Sequence, residues 1–229
     1  NIECDVVFAD RLQVHKYKMI VIPALYCCPE KLLYELENFV AEGGTLISSF
    51  KSFVADEHTS VYASTQPHIL HKCFGVSYNQ FTEPGTMKIM NYPVKYWAEL
   101  LTVDSAKVIA AYEHPYWKSY AGITENQFGK GYAYYLGCYT EKDVLKKIYK
   151  KAAQKAGIPL VQVEAPIIIR SGKNRSGAMV HYLFHYDKEE KEIICPYSKA
   201  VDILSKKVYA QGDVIILSDW DIKILEEIV

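Results

Sequence analysis

The amino-acid sequence predicts an α/β domain with a mostly parallel sheet over residues 1–161, followed by a small antiparallel β-domain, read as a sandwich, over residues 162–229. Three observations carry this expectation. Strand and helix signals alternate through the first third of the chain, and a lysine-rich amphipathic helix stops near Leu160. Beyond Val161, short β-rich runs separated by turn-forming residues replace helical spacing.

The elements follow in order. Asp5 to Ala9 reads as a short apolar strand. Tyr17 to Pro23, with Met19, Ile20, Val21 and Ile22 in a row, reads as a strand covered on both faces. From Pro29 to Ala41 the residues Leu32, Leu33, Leu36, Phe39 and Val40 recur at helical spacing, and Gly43 and Gly44 stop that helix. Thr45 to Ser49 is the next buried strand, which makes a βαβ unit and implies parallel pairing with a right-handed crossover. Residues 51–94 are weakly periodic, with a short helix around His68 to Phe74. Lys107 to Tyr112 and Ile123 to Phe128 then read as strands, and Gly129, Lys130 and Gly131 turn the chain back into Tyr132 to Gly137 as a hairpin. Thr140 to Asp143 has the form of a capping box for a helix lined by Val144, Leu145, Ile148, Tyr149 and Ala152 and stopped by Gly157 and Pro159. In the tail, strands are expected at Ile167–Arg170, Ala178–Tyr186, Lys191–Cys195, Lys207–Tyr209 and Val214–Leu217.

Bulk properties narrow the function. The 26 basic and 27 acidic side chains almost cancel, and the lysines of 142–155 interleave with Glu141 and Asp143 on a helical face, so no nucleic-acid partner is expected. No apolar run approaches the roughly 20 residues of a membrane span, and no membrane partner is expected. The six cysteines lack regular spacing and read as reduced, buried thiols. Asn1 to Asp5 enters a strand with no methionine before it, so the chain reads as part of a longer protein. The expected compartment is the cytoplasm.

Each candidate site has a plain structural alternative. Vicinal Cys27 and Cys28 lie between a strand and a helix, where a thiol pKa can fall, but Tyr26 and Pro29 flank them where a nucleophile elbow needs small residues. Asp56, Glu57 and His58 offer three ligand types in one loop but point in different directions, and no metal or other cofactor is expected. His181 and His185 sit on a strand, where four steps of about 3.3 Å put them roughly 13 Å apart, too far for one ion; they read as half-exposed. Gly129–Gly131 lies between strands and Gly43–Gly44 after a helix, so neither is a phosphate loop. The 19 tyrosines, with Trp97, Trp117 and Trp220, suit a contact surface. Tyr116, Trp117 and Tyr120 are the candidate interface or ligand contacts.

Several segments together resemble the middle domain of glycoside hydrolase family 42 β-galactosidases. They are Tyr17 to Tyr26, Phe39 to Leu46, Asp56–Glu57, Phe74 to Val76 and, above all, Tyr120 to Gly131 with Tyr134 to Gly137. The tail, with Asp202 to Leu204 and Val214 to Leu217 before Asp221 to Leu225, is similar to the small β-domain that ends that family's chain. The resemblance implies a flavodoxin-like fold, related to class I glutamine amidotransferases. It also implies a trimerisation role in the parent enzyme and partnership with a (β/α)8 barrel of the same chain. That barrel takes about 250 residues, so catalytic glutamates are expected outside this sequence and none here is assigned. Two rival readings remain: an independent flavodoxin-like enzyme using Cys27 or Cys28, and a carbohydrate-binding module working through Trp117 and the tyrosines.

Overall fold

The structure, a computed structural model, describes residues 2–160, 163 and 165–228. These form two compact units, Val6–Pro159 and the described residues of 1–5 with those of 160–229. The expected boundary between 161 and 162 lies outside the described residues.

The first unit begins with β1 (Met19–Ile22), α1 (Glu30–Ala41) and β2 (Thr45–Ser49). Then come α2 (His71–Phe74) and a run of short strands: β3 (Val76–Ser77), β4 (Phe81–Thr82), β5 (Lys88–Ile89), β6 (Tyr92–Pro93), β7 (Lys95–Glu99) and β8 (Thr102–Val103). It closes with β9 (Lys107–Ala111), β10 (Ala121–Phe128), β11 (Gly131–Leu136), β12 (Cys138–Tyr139) and α3 (Lys142–Lys155). The main sheet runs in the order β1-β2-β11-β10-β9. The spacing of apolar residues places α1, whose Leu32, Leu33, Leu36, Phe39 and Val40 pack with Ile20, Ile22 and Leu46. Val144, Ile148 and Ala152 of α3 pack with Ile47, Tyr134 and Leu136, the alternate residues of the same strands and hence the opposite sheet face. Both helices stop in the same way. The Gly43 and Gly44 amides donate to Val40 and Phe39 O, and the Gly157 and Ile158 amides donate to Gln154 and Ala153 O, the paired bonds of a Schellman motif.

The flavodoxin-like, mostly parallel fold is not what the chain adopts. Among the described strands, only β1 with β2 and β2 with β11 pair in parallel; β11 with β10 and β10 with β9 are antiparallel, and the short strands form further small antiparallel sheets. The reason lies in the connections. A parallel neighbour needs a crossover of a dozen or more residues, usually helical, whereas Phe128 and Gly131 are paired across a two-residue turn begun by Gly129 at φ +58°. That hairpin fixes β10 as antiparallel, and β9 follows it as a meander.

Other local expectations shift. Residues 5–8 form no strand; Val6 and Phe8 are exposed, and a 3-10 turn follows at Ala9–Arg11. Strand β1 lies at the edge of its sheet, so Val21 stays partly exposed instead of being covered on both faces. The α3 N-cap is Glu141 and no side chain caps it; Thr140 is buried one residue earlier, so the capping box does not form.

The second unit contains β13 (Ile167–Lys173), β14 (Met179–His185), β15 (Lys191–Ile194), β16 (Lys199–Asp202), β17 (Val208–Ala210), β18 (Val214–Leu217) and β19 (Ile222–Glu227). One antiparallel sheet runs β13-β14-β19-β16-β17 and a separate ribbon pairs β15 with β18. Ile169, Leu183, Tyr209, Ile215, Leu217 and Leu225 share its core.

Candidate functional site

The carboxyl end of β2 and β11 is where the first unit concentrates its unusual chemistry. Leaving β2, the chain bends through Lys51 and Phe53, both at positive φ (56° and 64°), a conformation costly for residues with a Cβ. What holds this bend is the side chain of Glu99, at the end of β7. Its Oε1 accepts the Lys51 amide (2.8 Å) and the Trp97 indole N–H (3.3 Å), and its Oε2 accepts the Tyr135 hydroxyl (2.9 Å). Tyr112 donates to the Glu99 carbonyl at 2.8 Å, and the Glu99 amide donates to Gly137 O at 2.7 Å. Glu99 is only 1 % exposed. Burial pushes its carboxyl up to about 7, and the donors from Lys51, Tyr135 and Trp97 oppose that rise.

Above this anchor stands a shelf of aromatic rings. Trp97 stacks on Phe81 with centroids 4.1 Å apart, and the Lys51 ammonium lies 3.9 Å from the Trp97 ring centre. Tyr139 of β12 meets Tyr96 edge-on at 5.1 Å and Phe50 at 6.4 Å. Tyr96 itself has φ 61°. At the shelf's side Lys95 pairs with Glu141 at 2.6 Å, and that carboxylate raises the lysine pKa.

The residues singled out by the sequence lie as follows. Tyr116 is largely exposed, whereas Trp117 and Tyr120 are half-buried against the α3-side core, with ring centroids 6.2 Å apart. Their loop joins β9 to β10. Because β10 runs against β11, the loop sits at the same sheet end as the shelf. Cys28 is buried and its thiol is pushed up to about 12, by burial first and then by Cys27 and Glu57, so it carries no thiolate near neutral pH. Cys27 is half-buried. Asp56 Oδ1 accepts the amides of His58 (2.9 Å) and Ser60 (2.8 Å), which makes the Asp56–His58 stretch a turn stabilised by its own carboxylate. No group of three metal-ligating side chains occurs among the described residues. His181 and His185 are buried, not half-exposed, because both face the inside of β14. They have separate partners: His181 bonds Ser171 Oγ (2.7 Å) and Glu227 Oε1 (2.8 Å), and His185 Nδ1 donates to Ser218 O (2.6 Å). Gly129 and Lys130 form the hairpin turn, with the Lys130 amide on Ala41 O at 2.9 Å. Trp220 is exposed at the end of the second unit's sheet, edge-on to Tyr186.

Sequence reasoning missed Glu99. Its signal was available: a lone carboxylate inside the run Tyr96-Trp97-Ala98-Glu99-Leu100-Leu101, where ionisable groups are seldom tolerated unless paired.

This end of the sheet thus gathers stacked rings over one buried carboxylate, the arrangement of a contact surface. The particular family follows from comparison: the chain belongs to the β-galactosidase trimerisation domain family, whose profile matches residues 1–159. Among curated relatives, it is 24 % identical over 233 residues to the β-galactosidase LacA of Lactobacillus acidophilus, which covers 98 % of this chain and 34 % of that protein. It is 28 % identical over 182 residues to BgaB of Geobacillus sp. (strain Y412MC61), covering 76 % of this chain and 27 % of that one. The chain thus spans a quarter to a third of the length of these relatives. Among solved structures, the β-galactosidase of Bacillus circulans sp. alkalophilus shares the fold with a TM-score of 0.85 at 22 % identity, over 95 % of this chain and 34 % of that one.

Proposed function

We propose that this chain is the assembly region of a β-galactosidase: it joins three subunits, and a (β/α)8 barrel elsewhere in the same polypeptide hydrolyses terminal β-galactosides. The observation that carries this reading is the match of the trimerisation family over residues 1–159. The relatives, each named a β-galactosidase and each about three to four times the matched length, support it. Assembly of this kind acts by holding neighbouring barrels in register, so that one subunit shapes the cleft of the next. Tyr116, exposed at the β9–β10 loop with Trp117 and Tyr120 behind it, is proposed as a contact in that assembly, since large amphipathic rings anchor interfaces. Light scattering on the full-length protein tests the reading: a mass of three subunits is expected, and a monomer at micromolar concentration would refute it.

A further inference from the structure

We infer that the shelf of Phe50, Lys51, Phe81, Tyr96, Trp97 and Tyr139 is the surface on which the first unit meets a second copy of this chain. The inference rests on the self-association proposed above and names the surface that performs it.

Four observations converge on this surface. First, large apolar side chains exposed singly are ordinary, whereas a connected group of them is not. On the shelf, Tyr96 (77 % exposed), Phe81 (59 %) and Tyr139 (46 %) are tied through Trp97 and Phe50 into ring pairs. Second, the shelf lies within residues 1–159, whose family match implies self-association, and another copy is therefore the occupant inferred. Third, its composition is that of an interface centre: aromatic anchors, with a cation already stacked on the indole, where the Lys51 stem adds apolar area. Fourth, the surface is organised before any partner arrives. Lys51 and Tyr96 hold positive φ, and Glu99 fixes the Lys51 backbone and the Trp97 ring from below, so little ordering remains to be done on association. Closed threefold association requires a patch near the axis or two patches inclined towards each other. The shelf and the Tyr116 loop share one end of the sheet.

The test uses the full-length protein and sedimentation velocity across a dilution series. The double variant Phe81→Ser/Tyr96→Ser is expected to raise the concentration at which the trimer dissociates by about tenfold or more, as loss of two anchor rings should. Val61→Ser, an exposed valine outside the shelf, should leave it unchanged. A shelf variant that dissociates like the wild type overturns this inference while the trimer reading stands. A monomeric wild type removes both. Hydroxyl-radical footprinting of the unaltered protein keeps the inference falsifiable if the double variant misfolds. Tyr96 and Phe81 should oxidise several-fold more slowly in the trimer than after dilution to monomer, and equal rates overturn it.

Discussion

Glu99 and Cys28 show how much a single residue's chemistry depends on what surrounds it. The Glu99 carboxyl is raised from 4.5 to about 7, so the folded chain holds that proton more tightly than the unfolded chain does. Its stabilising contribution is therefore complete below pH 4.5 and is lost as pH rises through 7; the displacement corresponds to about 3 kcal/mol in total. Denaturant unfolding from pH 5 to pH 8 should show wild-type stability falling relative to Glu99→Gln, and a difference that stays flat with pH would show that Glu99 does not titrate there. Cys28 should resist thiol reagents at neutral pH until the chain unfolds, while exposed Cys4 reacts at once; mass spectrometry of labelled peptides separates the two. Cys28 was legible as a buried thiol because its neighbours in sequence are the wrong ones for a reactive site. Glu99 was not legible as a clamp, because two of its three side-chain donors come from 48 and 36 residues away.

At the level of elements, the ends of helices and the pairings made across short connections were readable, and the longer-range partners were not. The Gly157 stop is local: φ is +64° and a Cβ there would meet nothing within 4 Å, so Gly157→Ala should cost about 1 kcal/mol from backbone conformation alone. Gly131 is different in kind. A Cβ there would come within 2.2 Å of Gly44 O and 2.3 Å of Val40 O, where β11 passes the end of α1. Gly131→Ala should therefore be the more damaging of the two, by several kcal/mol, since backbone atoms cannot step aside as a side chain can. Thermal unfolding of the pair decides it, and equal losses would mean that the junction is looser than its geometry indicates. The failed capping box at Thr140 teaches the same lesson from the other side. Its sequence pattern was present, but packing buried the threonine and moved the helix start by one residue.

For the whole molecule, the proposed role makes a direct demand: removing residues 6–159 from the full-length protein should abolish the trimer and sharply lower galactoside hydrolysis. Chromatography with light scattering and a galactosidase assay read the two effects, and a deletion variant that is still trimeric and fully active would defeat the role. By itself the sequence determined what contiguous residues encode: the strand-helix-strand opening, the glycine stops, the tight turn after Phe128 and the strand-rich tail. It also carried enough short segments in the right order to point to the family that the comparison then established. Only the tertiary structure decided that the hairpin joins β2 through a parallel pairing and is extended by β9, and that an amide, an indole and a phenol converge on one carboxylate. Helical spacing and turn chemistry act between near neighbours, whereas strand partnership and a buried hydrogen-bond set depend on groups far apart in the chain, whose meeting is chosen by the packing of the whole core.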